Sequence, residues 1–149
     1  MSIHTIKSKM TELMDSATHY DLNTLDSIYH RDMKILMIDA EGHLTHSDKP
    51  GFISMFNTMK KQGVPVNTWA QYNDISVDGD KAHVLITRKN KLAGYNSLLV
   101  LSIDFIFEDD RWQIVREVIF VRPDTGEYPG KDNTKSYPDE NAFQKALES

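Results

Sequence analysis

The spacing of apolar residues along the chain changes from a helical period to a period of two. The first third carries them three or four positions apart, as on one face of an amphipathic helix: Ile3, Ile6, Met10, Leu13, Met14 and Ala17. Asp21 is predicted to cap a short second helix. The apolar run at 33–38 then predicts a strand, and residues 43–46 predict a short returning strand.

A third helix has clear boundaries in the sequence. Ser47 is predicted to be its N-cap, and Pro50 lies in its first turn, where a missing N–H costs no hydrogen bond. Gly63 is predicted to end the helix, because glycine readily adopts the left-handed conformation found at helix C-termini.

Beyond residue 64, apolar and polar residues alternate. This pattern predicts four strands at 67–77, 81–92, 98–108 and 112–122, with tight turns at Asp78-Gly79 and Asp109-Asp110. Helices followed by a meander of long strands predict an α+β fold. We expect a curved antiparallel sheet wrapped around three N-terminal helices in the shape of a cone.

The turns decide which side chains share a face of this sheet. A two-residue turn at Asp109-Asp110 pairs Phe107 with Trp112 and Ile103 with Arg116. Arg116 is then the single polar residue on an otherwise apolar face. The turn at Asp78-Gly79 places four more side chains toward one end of the same concave side: Trp69, Gln71, Asn73 and Arg88.

An arginine on a core face is costly unless its charge is paired or hydrated, so three placements of Arg116 are open. The residue could hold an anion or a carbonyl group at the base of a pocket. It could form an internal salt bridge to Asp32, Asp39 or Glu12. A one-residue shift of the strand register would instead turn it into solvent.

Composition narrows the class of protein. The 149 residues contain no cysteine and carry a net charge of −5, which excludes disulfides and thiolate catalysis and disfavours nucleic-acid binding. No apolar run is long enough to span a membrane and no signal peptide is visible, so we expect a cytoplasmic location without membrane contact. We expect one domain over residues 1–122 and a polar, acidic tail over 123–149, with a possible short helix at 139–147.

Three local patterns connect the chain to a known superfamily. They lie at 21–33, where Asp21-Leu22-Asn23 leads to Tyr29-His30-Arg31-Asp32-Met33, at 75–84 around the Asp78-Gly79 turn, and at 111–115. Residues 3–122 resemble the nuclear-transport-factor-2-like superfamily, which includes ketosteroid isomerase and the polyketide-cyclase-like (SnoaL-like) proteins. The resemblance implies a cone with an internal cavity and a homodimer formed through the outer sheet face. Five outward apolar residues independently suit such a buried face: Val100, Ile106, Val115, Ile119 and Val121.

The catalytic residues of the isomerases match this chain poorly. The resemblance places their base at Met37, with Asp39 two residues further along the strand. Their oxyanion-binding aspartate corresponds to Asp104 in one alignment and to Ile103 in another, and the hairpin argument favours the second. Isomerase chemistry by that pair of carboxyl groups is therefore not expected.

The sequence leaves two functions open, and leaves open whether the protein is an enzyme. In the first, the protein binds a small apolar molecule with a carbonyl or carboxylate, as a binder or a metal-free isomerase, cyclase, dehydratase or hydrolase. Arg116 would anchor that ligand, Tyr29 would hydrogen-bond it, Asp39 or Asp32 would be the base, and the pocket wall would include Met37 and Ile103.

In the second function, the protein is a non-catalytic dimeric association module whose acidic tail binds a partner. Neither function calls for a metal or a cofactor. His43 and His46 point to opposite faces of an extended strand and so do not make a metal site.

Overall fold

The computed structural model describes residues 2–63, 69–92 and 95–125, which form three helices and six strands. In chain order these elements are α1 (Ile3–Thr18), α2 (Leu22–Ile28), β1 (Tyr29–Ile38), β2 (Leu44–Asp48), α3 (Lys49–Gln62), β3 (Ala70–Asp78), β4 (Lys81–Leu92), β5 (Tyr95–Glu108) and β6 (Arg111–Pro123). The predicted tail helix at 139–147 lies outside the described residues.

The helices begin and end where local side chains satisfy their free backbone groups. The Asp21 carboxylate accepts a hydrogen bond from the Thr24 backbone N–H at 3.2 Å, so the predicted cap of α2 is confirmed. Gly63 ends α3 in the left-handed conformation, with φ of 67°, as predicted.

The predicted cap of α3 is wrong by one residue. Strand β2 continues to Asp48, so Ser47 still belongs to the strand, and the Asp48 carboxylate accepts the Gly51 N–H at 3.0 Å. Pro50 lies in the first turn, as predicted. No residue of α3 is fully buried, because its apolar side chains face a cavity rather than a closed core.

The six strands form one sheet in the order β2-β1-β6-β5-β4-β3. Strands β1 and β6 run parallel and every other neighbouring pair is antiparallel, so the sheet is mixed rather than purely antiparallel. Its concave side holds the three helices. The predicted α+β cone is confirmed.

A β-bulge in β6 changes the face of every residue that follows it. Phe105 pairs with Ile114, as predicted, but the next pair is Asp104 with Arg116, which leaves Val115 without a partner in β5. The predicted pairing of Ile103 with Arg116 is therefore wrong, and Ile103 pairs with Glu117.

The bulge also redistributes the apolar residues of β6. Val121 is buried in the core and Ile119 lines the cavity, so the prediction that these two point outward is wrong. Val118 and Phe120 occupy the outer face in their place, and 48% of Phe120 is exposed.

A second correction applies to the hairpin of β3 and β4. Asp78 pairs with Lys81, so the turn residues are Gly79 and Asp80, one position later than predicted. A bulge at Asn73 shifts the register again. The inward positions of β3 are consequently Val77, Ile75, Tyr72 and Ala70.

The core lies between the concave sheet face and the buried faces of α1 and α2. It includes Ile6, Met10 and Met14 of α1, Leu25 and Ile28 of α2, and Val84, Ile86, Ile103, Phe105 and Ile114 of the sheet. Among the described residues, none of the helices has the length and apolar character that crossing a bilayer requires.

The corrected cap of α3 can be tested by substitution. Asp48→Ala is expected to lower the free energy of unfolding by about 1 kcal/mol, because the Gly51 N–H loses its acceptor. Ser47→Ala is the matched control and is expected to change it by less than about 0.5 kcal/mol. Urea unfolding of both variants measures this, and a larger effect from Ser47→Ala would contradict the assignment.

Candidate ligand-binding cavity

A cavity of about 380 Å³ lies between the concave face of the sheet and α3, with α1 and α2 closing one side. Its wall is mainly apolar and includes Met10, Leu13, Leu25, Ile35, Met37, Phe52, Met55, Phe56, Met59, Leu99, Leu101, Ile103 and Ile119. The volume falls within the range of roughly 300–1,000 Å³ that small-molecule pockets occupy.

The polar residues that line the cavity include Tyr29 at the start of β1, Arg88 on β4 and Glu117 on β6, together with Thr45, His46 and Ser47 of β2 and Lys89 of β4. The Tyr29 hydroxyl donates a hydrogen bond to Glu117 Oε1 at 2.9 Å. Both side chains are buried, with 3% of each residue exposed. This bond therefore lies in a region of low polarity, where it is strong.

Burial shifts the pKa values of Glu117, Tyr29 and Arg88. Removal from water raises the pKa of Glu117 from 4.5 to about 7, although the Tyr29 hydrogen bond and the Arg88 charge both act to lower it. Burial, followed by the nearby Glu117 charge, raises the pKa of Tyr29. Burial likewise lowers the pKa of Arg88. Glu117 is thus the group that exchanges a proton near neutral pH.

Glu117 retains capacity to bind a ligand. Within the described part of the chain, its carboxyl group makes no hydrogen bond other than the one with Tyr29, and no cation lies within 4.0 Å of it. Because Glu117 also lines the cavity, its second oxygen is available to a molecule bound there. A carboxyl group with a pKa near 7 can both donate and accept a proton.

A row of aromatic rings connects this polar end to α3. The Tyr29 ring packs edge-on against Phe52 with centroids 4.8 Å apart, and Phe52 packs similarly against Phe56 at 4.9 Å. Phe56 in turn contacts Tyr20 at 6.2 Å. These contacts fix the orientation of the Tyr29 ring and hence the direction of its hydroxyl group.

Four of the side chains predicted for the site line the cavity, namely Tyr29, Met37, Arg88 and Ile103. Tyr29, Arg88 and Glu117 are close enough for their charges to influence one another. Of the two arginines predicted for the site, Arg88 of β4 is therefore the one that lines the cavity.

Arg116, Asp32 and Asp39 lie elsewhere. Arg116 is exposed on the outer face because of the bulge at Val115, which corresponds to the solvent placement among the three considered. Asp32 is exposed, and its Oδ2 atom lies 3.7 Å from Nε of the neighbouring Arg31. The Asp39 carboxylate accepts the backbone N–H groups of Glu41 and His43 in the turn after β1, so it caps that turn and does not line the cavity.

Trp69, Gln71 and Asn73 also do not line the cavity. Gln71 donates to Asn73 at 3.0 Å, and Asn73 donates to the Thr87 hydroxyl at 2.8 Å. Gln71 and Thr87 form a cross-strand pair on the outer face. Thr87 directly precedes Arg88, and neighbouring residues of a strand point to opposite faces. The displaced turn changes which residues pair but not which face they share, so the bulge at Asn73 is the reason that the expected inward position of Gln71 is wrong.

Lys89, near the end of β4, is buried in a cluster of side chains. The Lys89 ammonium lies 4.9 Å from the centre of the Trp69 ring and 3.8 Å from the Asp124 carboxylate, and both charged side chains are 8% exposed. This cluster attaches the chain after β6 to the rim of the cavity.

Glu117 was missed in the sequence because its position depends on the bulge. A regular strand puts Arg116, Val118 and Phe120 inside, whereas a bulged strand puts Glu117, Ile119 and Val121 inside. Each choice buries one charged and several apolar residues, so the apolar pattern does not distinguish them. The adjacent charges Arg116-Glu117 in the middle of an apolar strand are the signal that one of them faces inward.

A family model described as "Putative lumazine-binding" matches residues 1–119. The chain belongs to this family. No curated protein matches the sequence of this lumazine-binding family member. Among the described residues, no group of three or more histidine, aspartate and glutamate side chains is arranged to hold a metal ion.

Solved structures show the same fold as this lumazine-binding family member. A nuclear-transport-factor-2-like protein of unknown function from Silicibacter pomeroyi is 20% identical, with 80% of this chain and 95% of that chain covered and a TM-score of 0.66. A nuclear-transport-factor-2-like protein from Cytophaga hutchinsonii is 16% identical, with coverages of 82% and 100% and a TM-score of 0.64. At these identities the likeness concerns the fold alone.

The raised pKa of Glu117 predicts that stability falls as pH rises from 4.5 to about 7. The folded chain holds this proton more tightly than the unfolded chain, so the stabilisation is complete below pH 4.5 and lost above about 7. The loss is on the order of 3 kcal/mol. Urea unfolding from pH 4 to 8 is expected to show it in the native protein but not in Glu117→Gln.

Tyr29→Phe is the companion variant. It removes a hydrogen bond that lowers the pKa of Glu117, so the pH window of falling stability is expected to move upward. Parallel pH profiles for the native protein and Glu117→Gln would show that Glu117 does not titrate in this range.

Proposed function

We propose that this protein binds a small, largely apolar molecule in its cavity and transfers a proton on that molecule through Glu117. The observation that carries the proposal is the hydrogen bond between the buried Tyr29 hydroxyl and Glu117, on the wall of a mainly apolar cavity. Buried polar groups are costly, so a polar pair exposed only to an apolar cavity indicates a polar partner in the ligand.

The polar end of the ligand is a carbonyl, hydroxyl or ring N–H group. Glu117 accepts a proton or a hydrogen bond from it, and Arg88 stabilises negative charge that develops on a carbonyl oxygen. This pairing replaces the roles that the sequence assigned to Asp39 and Arg116. The family description supports a heteroaromatic compound, and lumazine, which carries adjacent N–H and carbonyl groups, is the first probe.

The chemistry consistent with this site is metal-free acid–base catalysis. The Glu117 carboxylate removes a proton from an atom next to the ligand carbonyl, becomes neutral, and returns the proton to a second atom of the same ligand. No other reactant is required, so an isomerisation is the simplest case. Dehydratases, cyclases and hydrolases of the same superfamily need two comparable proton transfers, one to a base and one from an acid.

The alternative function, a dimeric association module, is favoured by one observation. The outer sheet face carries Leu36 and Ile38 of β1 paired with Val118 and Phe120 of β6, which makes a continuous apolar surface. Phe120 is 48% exposed. We infer a homodimer that covers this face, since exposed apolar patches of this kind mark interaction sites. A role for the acidic tail at 123–149 remains part of this alternative.

Ligand binding is tested by titrating the protein with lumazine and following its fluorescence. Glu117→Gln is expected to weaken binding by about 10- to 100-fold, which corresponds to one hydrogen bond involving a charged group. Tyr29→Phe is expected to weaken it less. Arg116→Ala is the control on the outer face and is expected to bind like the native protein. Equal binding by Glu117→Gln and the native protein would remove Glu117 from the site.

The dimer is tested by light scattering coupled to size-exclusion chromatography. Phe120→Glu is expected to convert the particle from twice the chain mass to the chain mass, because a charge on the apolar patch resists burial. Met55→Glu changes an equally exposed apolar residue on α3 and is expected to leave the mass unchanged. Identical masses for native protein and Phe120→Glu would contradict this interface.

A further inference from the structure

Helix α3 packs in an unusual way for a helix over a sheet. None of its residues is fully buried, and Met55 is 47% exposed. Four of its apolar side chains, Phe52, Met55, Phe56 and Met59, line the cavity. The surface that would normally be buried in a core is thus turned toward empty space.

The α3 side of this cavity is apolar, whereas the polar lining residues come from the sheet: Tyr29, Thr45, His46, Ser47, Arg88, Lys89 and Glu117. Tyr29 and Glu117 form its polar end, and Phe52 contacts the Tyr29 ring at 4.8 Å. Phe56 and Met59 follow on the same helix, so the apolar wall extends from the polar end for about 10 Å at 1.5 Å of rise per residue. The cavity wall contributed by α3 carries no charged side chain.

The geometry points to an amphiphilic ligand, with one polar group at Glu117 and Tyr29 and an apolar body lying along α3 as far as Met59. This inference rests on the proposed function and names its ligand class. The apolar body would take the place of the core side chains that α3 lacks beneath it. Binding should therefore stabilise α3 more than the rest of the fold.

The side chains of this wall indicate selection by length rather than by detailed shape. Methionine side chains are unbranched and adaptable, so Met55 and Met59 can pack against rings or chains of different outline. Discrimination then comes from the apolar area that a ligand buries against α3.

A series of 4-alkylphenols, from ethyl to hexyl, tests the inference by calorimetry. The phenol hydroxyl supplies the polar group, and each added methylene is expected to lower Kd about threefold to fourfold until the wall is covered. The corresponding 4-alkylanisoles lack the O–H donor and are expected to bind at least tenfold more weakly. Hydrogen exchange at the amides of residues 49–62 is expected to slow on binding.

Two variants of α3 form a matched pair. Met59→Ala shortens the apolar wall, so the affinity gained from the longest alkyl groups is expected to be smaller than in the native protein. Ile53→Ala removes a comparable apolar side chain that packs against the core and does not line the cavity, so it should leave the dependence on chain length unchanged.

The outcomes separate this inference from the proposed function. If Glu117→Gln weakens phenol binding but Kd is independent of chain length, the amphiphile is excluded and the role of Glu117 stands. If phenols and anisoles bind with equal Kd values that fall steeply with chain length, the role of the apolar wall is supported and the role of Glu117 is contradicted. If no phenol binds, the amphiphile is excluded, and the lumazine titration decides the proposed function.

Discussion

The hydrogen bond from Tyr29 to Glu117 joins the first strand of the chain to the last, and these two strands are neighbours in the sheet. Tyr29 is the first residue of β1, and Glu117 lies in the middle of β6, the strand that runs parallel to it. A buried carboxyl group without a partner would be strongly destabilising, so Glu117 restricts how β1 can lie against β6. The same bond aligns the Phe52 ring above Tyr29 and thereby sets the position of α3.

The protonation of Glu117 and the filling of the cavity by a ligand are physically connected. Burial is the largest influence on its pKa, and Glu117 lines the cavity. An apolar molecule that fills this space displaces water and strengthens every interaction with the charge. Cavity filling and proton affinity therefore change together, which couples the apolar wall of α3 to the acid–base group on the sheet.

The sequence predicts the elements well and the faces poorly. Helix positions follow from apolar spacing and from residues that begin or end helices through local contacts, such as Asp21, Pro50 and Gly63. Facing depends on register, and a bulge reverses it for the part of the strand beyond the bulge. The bulge at Val115 turns Arg116 outward and Glu117 inward. The pair of Tyr29 and Glu117 could therefore not be predicted from the alternation of apolar residues. Tyr29 and Arg88 were identified correctly as cavity residues, although the register used for Arg88 was itself wrong.

The second bulge, at Asn73, lies in β3 at one free edge of the sheet. Unpaired strand edges are templates on which other chains can add strands and form aggregates. The bulge interrupts the regular ladder in the middle of β3, and Asp74 follows it directly. At the opposite edge, β2 has only five residues and leads directly into α3. Both borders of the sheet are thus poor templates for strand addition, which disfavours self-assembly into fibrils.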